Sequence, residues 1–156
     1  MPRVDFYVLE SSEARARLVF ACRLAEKAFL LEQRVSLLTD SEADARTLDD
    51  LMWTFRDRSF VPHELQAAGR EPETPVVIAC GTQAAAHRDL LINLGSTVPP
   101  GYAGYSRIAE IIDADGERRR AGRERYRYYV DQGVKPQSHN IGNGSGGTPG
   151  GDQEIP

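Results

Sequence analysis

Cysteine, histidine, lysine and tryptophan are all scarce in this 156-residue chain. Its two cysteines, Cys22 and Cys80, lie inside apolar segments; they exclude a disulfide scaffold and read as small buried hydrophobes. The three histidines, His63, His87 and His139, are scattered, and no H-E-x-x-H, C-x-x-C or G-x-S-x-G occurs. The sequence therefore offers no catalytic residue, and neither a metal nor a cofactor is expected. Only Lys27 and Lys135 carry an amine, and no G-x-x-x-x-G-K-[ST] phosphate loop is present. His87, Arg88 and Asp89 spell the HRD of kinase catalytic loops, but the companion kinase motifs are missing and the match is a coincidence. No apolar run approaches the ~20 residues that span a bilayer. The opening MPRVDFYVLE lacks the layout of a signal peptide, so the expected location is cytoplasmic. A pI near 5.4 argues against broad wrapping of nucleic acid but leaves room for a local basic patch.

What is present is an alternation of strand and helix signals. Val4 to Leu9 is a β-rich run. Ser11 and Ser12 offer caps for a helix reaching about Gln33, with Leu18, Cys22, Ala25 and Phe29 on one apolar face. Val35 to Leu38 predicts a second strand. Ser41 caps a second helix that turns Ala45, Leu48, Leu51 and Met52 inward and ends near Trp53. Two strand–helix units in succession imply parallel strands with crossover helices. Phe60 to Pro62 reads as extended and Leu65 to Thr74 as loop. Pro75 to Cys80, Asp89 to Leu94 and Ser106 to Asp113 read as strands, and a last helix covers about Glu117 to Val130. The expectation is one α/β domain over 1–134, followed by a Gly-rich, disordered tail over 135–156. Within that tail Gly142, Gly144 and Gly147 spell G-x-G-x-x-G, an accident of glycine content with no strand before it and no helix after it.

The most unusual segment is Arg118 to Tyr129, RRRAGRERYRYY, which holds six arginines, one glutamate and three tyrosines. It carries +5 in a protein of net charge −4. At helical spacing Arg120, Arg123 and Arg127 share a stripe with Tyr126 beside it, while Arg118, Arg125 and Tyr129 fall on a neighbouring one. A solvated helix face is the plain reading. Against it, Arg118 to Arg120 oppose the dipole at a helix start, and Arg beside Tyr is the chemistry of contact surfaces that take anionic groups. A second cluster, LMWTFRDRSFVPH from Leu51 to His63, holds the only tryptophan. Its aromatics suit either a core corner or an apolar patch around Trp53 and Phe60 for a protein partner.

Taken in order, VDFYVL, LDDLMWTFRDRSFVPHEL, PVVIAC, HRDLLINL, SRIAEIID and RERYRYY resemble the chi subunit of bacterial DNA polymerase III holoenzyme over about Arg3 to Val134. The resemblance implies a three-layer α/β fold, a mostly parallel central sheet flanked by helices, similar to mononucleotide-binding (Rossmann-like) folds but without nucleotide chemistry. It implies a non-enzymatic adaptor that links the clamp loader, through the psi subunit, to single-stranded-DNA-binding protein during DNA replication, with any contact to DNA indirect. The positions that hold the acidic, phenylalanine-ended tail of that protein fall on Arg123, Tyr126 and Arg127, and those facing psi on Trp53 and Phe60. The residues alone leave two rivals: a nucleotide-binding α/β enzyme and a direct nucleic-acid-binding module.

Overall fold

A computed structural model describes residues 2–57, 60–81 and 84–142. Its strands are β1 (Arg3–Leu9), β2 (Val35–Thr39), β3 (His63–Leu65), β4 (Val76–Cys80), β5 (Leu90–Asn93), β6 (Arg107–Ile112) and β7 (Gln137–Ile141). The helices are α1 (Ala14–Leu30), α2 (Glu42–Thr54) and α3 (Gly116–Asp131). The strands form one sheet in the order β3-β4-β2-β5-β6-β1-β7, and every pairing is parallel. Such a sheet must be covered on both faces. On one face α1 and α2 bury Phe20, Leu24, Leu48 and Met52 against Tyr7, Leu37, Ile78 and Ile111. On the other, Tyr129 of α3 packs with Phe6, Leu91, Ile108 and Ile112. The parallel strands with crossover helices are those expected from the strand–helix alternation, and the three layers are those the resemblance implies.

Several local boundaries differ from the sequence expectation. Neither Ser11 nor Ser12 caps α1; Ser11 Oγ accepts the Glu13 amide at 3.0 Å, and Glu13, with extended backbone, takes the N-cap position. The helix ends at Leu30 rather than Gln33 because Glu32 turns left-handed at φ 64° and closes the chain back onto Phe29 and Ala28. Ser41 does cap α2, accepting the Asp44 amide at 3.1 Å, and Ala45, Leu48, Leu51 and Met52 are buried as the spacing predicts. β3 was not foreseen: at three residues it is too short to show a period. The loop after it is gathered around the Glu64 carboxylate, which accepts the Glu73 and Thr74 amides and an Arg70 N–H.

The domain boundary after Val134 falls short. Gln137–Ile141 add a seventh strand beside β1, from Asp5 opposite Gln137 to Leu9 opposite Ile141. A polar edge strand with one buried residue, Ile141, gives no apolar signal to read. His139 fastens it, its Nε2 2.9 Å from the buried Asp5 carboxylate and its ring stacked on Tyr7 at 4.9 Å. The rest of the glycine-rich stretch, with most of the G-x-G-x-x-G pattern, lies outside the described residues.

α3 is seated by a buried carboxylate. Glu110, fully buried in β6, accepts Arg125 Nε at 2.9 Å, Tyr129 OH at 2.7 Å and Asn93 Nδ2 at 3.0 Å. Arg125 also donates to the Ser96 carbonyl at 3.1 Å. Burial first, then the Glu110 charge, raise the Tyr129 hydroxyl above the ordinary tyrosine range, so it stays a donor. Removing one member of such a set strands a buried charge. Glu110→Gln is therefore expected to destabilise the fold by about 3–5 kcal/mol, read as the loss in urea unfolding free energy at neutral pH; a loss below about 1 kcal/mol, the worth of an ordinary hydrogen bond, would contradict the assignment.

Candidate partner-binding surfaces

The inward commitment of α3 sorts its arginines. Arg125 and Tyr129 are buried one turn apart, so the opposite face must point outward. Arg118 grips the buried Asp113 with two hydrogen bonds, Nε to Oδ1 at 2.9 Å and Nη2 to Oδ2 at 2.8 Å. Burial pushes the Asp113 carboxyl up, but Arg118 and the Asp115 amide outweigh it and hold the group below the usual aspartate range. Arg119 donates to the Asp113 carbonyl, and exposed Arg120 pairs with Glu117. The cost of cations at a helix start is thus met locally, with the Asp115 side chain as cap. Three of the six arginines serve the fold, and a fourth, Arg120, is paired at the surface.

The remaining two are Arg123 and Arg127. Both are exposed, and neither makes an ion pair or hydrogen bond among the described residues. Tyr126 sits between them at helical spacing, 37% exposed, its ring 5.1 Å from Phe6 and its hydroxyl 3.4 Å from the Pro136 carbonyl. The structure therefore brings the three sequence-selected residues onto one outer face, with Tyr126 backed by the core. Val130, 48% exposed and one turn beyond Tyr126, lengthens the apolar part of that face. Sequence reasoning passed over it, although its i,i+4 spacing from Tyr126 was the available signal.

Trp53 and Phe60 do not form a core corner. They are 50% and 66% exposed with ring centroids 5.8 Å apart, and His63 lies under Trp53 at 4.2 Å. Leu30 and Leu31, at the end of α1, are also exposed. The α1 and α2 ends are tied by Arg56 on Glu26 at 2.7 Å.

In open parallel sheets the ligand crevice lies beyond the carboxyl ends of the strands. Here that place holds a cavity of about 320 Å³ lined by Arg17, Asp40, Ser96, Arg118 and Arg125. Arg17 reaches in from α1 and donates to the Leu94 carbonyl at 2.7 Å and the Ile111 carbonyl at 3.1 Å. Burial, then the nearby Arg118, lower its pKa to about 10. Asp40 accepts the Ser96 amide at 3.0 Å. The guanidiniums at this crevice are committed to the protein itself. Among the described residues no group of His, Cys, Asp or Glu is arranged to hold a metal ion, and no helix is long and apolar enough to cross a membrane.

Comparison with known proteins gives a consistent result. The family model described as DNA polymerase III chi subunit, HolC, matches residues 1–137. The DNA polymerase III subunit chi of Pseudomonas aeruginosa is 42% identical over 141 residues, covering 90% of this chain and 98% of the relative. That of Haemophilus influenzae is 30% identical over 139 residues, covering 88% and 96%. The Escherichia coli subunit is 27% identical over 136 residues, covering 83% and 91%. The crystal structure of T4 UvsW superposes with a TM-score of 0.61 at 9% identity, over 90% of this chain and 41% of that one, which is a likeness of fold alone. A family match over residues 1–137 and near-complete coverage of the relatives agree: the chain belongs to the DNA polymerase III chi subunit family, accessory subunits of the replicative polymerase.

Proposed function

We propose that this chain is a non-catalytic adaptor with two docking surfaces. The outer face of α3 takes the acidic C-terminal tail of single-stranded-DNA-binding protein, and the Trp53–Phe60 surface takes psi, the link to the clamp loader. The observation that carries the first assignment is the division of labour on α3. Among the described residues Arg123 and Arg127 are left without internal partners while Arg118, Arg120 and Arg125 are paired with carboxylates. Guanidiniums at that spacing suit carboxylates, and Tyr126 with Val130 supplies an apolar surface for a terminal aromatic ring. The second assignment rests on two large rings held in solvent side by side. The commitment of Arg17, Arg118 and Arg125 to internal acceptors supports an adaptor over a nucleotide-binding enzyme.

Such a tail contact is expected to be weak, of micromolar order or about −8 kcal/mol, and to weaken with added salt. Several tails on one coated strand would raise the effective concentration. Calorimetric titration with a tail peptide tests the site. Arg127→Ala should weaken binding about tenfold, the order of one charge-assisted contact, whereas Arg120→Ala, which removes the same charge from a paired residue, should leave it nearly unchanged. Equal losses for the two variants would mean that the effect is net charge and not a site. For the other surface, Phe60→Ala should abolish co-purification of psi; recovery of psi at the parent yield would remove that assignment.

A further inference from the structure

Trp53 rests on His63, and the surroundings of that histidine constrain its chemistry. The ring is buried. Its Nδ1 lies 2.7 Å from the Val61 carbonyl oxygen. Its Nε2 lies 3.2 Å from the Asp49 carbonyl oxygen and 3.3 Å from Asp49 Oδ1. Every one of these oxygens is an acceptor when Asp49 is ionised. A neutral imidazole has one N–H and one lone pair, so either tautomer would aim a lone pair at an oxygen. Only a ring donating from both nitrogens satisfies the site. Among the described residues Asp49 is the only charged partner of the ring: α2 contributes Asp49, β4 places the apolar Val76 opposite it in the ladder, and the adjacent Glu64 is occupied by Arg70 and Thr74.

The position of the ring is as informative as its bonds. Its centroid is 4.2 Å from that of Trp53, inside the range in which a cation is attracted to an indole face. His63 spans from β3 to α2, holding the Asp49 backbone one turn before Trp53. It thereby fixes both the indole and the helix end that carries it. We propose that His63 is the positioning residue of the Trp53–Phe60 surface: an imidazolium, donating from both nitrogens, that seats the indole for the partner. This rests on the reading of that surface as a docking site, but the state of His63 can be tested without any partner.

Trp53 is the sole tryptophan, so indole emission reports this contact alone. A protonated imidazole against an indole quenches its emission, and a neutral one does so much less. When rising pH removes the second ring proton, emission should rise in a single step. The step should be absent in His63→Gln and retained in His139→Gln. Emission that is flat in the parent chain, or a step that survives His63→Gln, overturns the proposal. Nitrogen-15 spectra of the unmodified chain need no variant to fold: both His63 ring nitrogens should carry protons at neutral pH, and a single-tautomer signal overturns the assignment. Where psi is bound by the parent, His63→Gln should weaken capture about tenfold, the order of one cation–π contact, and unchanged capture would refute the positioning role. Failure of the parent to bind psi would instead strike the docking reading and leave the emission and nitrogen results standing.

Discussion

Glu110 determines which way the third helix faces. A carboxylate sealed in the sheet must be matched by donors, and α3 supplies them as Arg125 and Tyr129, with Asn93 from the neighbouring strand. Gly122 lets the helix approach closely, since a Cβ there would run into Ile112. With those residues fixed inward, helical geometry leaves Arg123, Arg127 and Val130 no direction but out, and puts Tyr126 at the margin where it touches both Phe6 and solvent. The outer surface is thus a consequence of a buried bond. One helix uses arginine for opposite purposes on its two sides: as an internal counter-ion and as free charge.

The same economy appears at the strand ends. A parallel sheet with helices on both faces creates a crevice where related architectures place a ligand. In this chain Arg17 occupies the carbonyls of Leu94 and Ile111, Arg118 closes on Asp113, and Asp40 holds the loop at Ser96. The charges at this crevice are committed to backbone groups and to Asp113. Outside the crevice, the outer face of α3 and the ends of α1 and α2 hold aromatic and aliphatic side chains in solvent.

Much of this was legible in the sequence, and the exceptions have physical reasons. Short β-rich or apolar runs marked β1, β2, β4 and β5, the run of β4 continuous because a strand covered on both sides leaves no room for alternation, and the stop signals at Asp113, Asp115 and Gly116 marked the end of β6. Ser41 marked its helix through a real cap. β3 and β7 were invisible because edge strands need few apolar residues and bury few. The end of α1 was misplaced because a glutamate, not a glycine, takes the left-handed turn. At the candidate site, spacing correctly separated the two arginine stripes, but composition said nothing about which arginines were spoken for. That distinction depends on Asp113, which Arg118 reaches locally, and on Glu110, which meets Arg125 and Tyr129 only when α3 packs on β6. Nor did the sequence mark His63 as the support of Trp53, since its three acceptors are two backbone oxygens and one aspartate ten or more residues away.

The central claim is that the two unpaired arginines of α3 and Tyr126 form a receptor for an acidic tail, and not for nucleic acid itself. Its most direct measurement is capture of the whole chain on immobilised single-stranded DNA under three conditions: bare, coated with intact single-stranded-DNA-binding protein, and coated with the same protein lacking its C-terminal tail. Capture only on the intact coat, falling as salt is raised, is the expected result. Equal capture on the tail-less coat, or capture on bare DNA, would contradict the account.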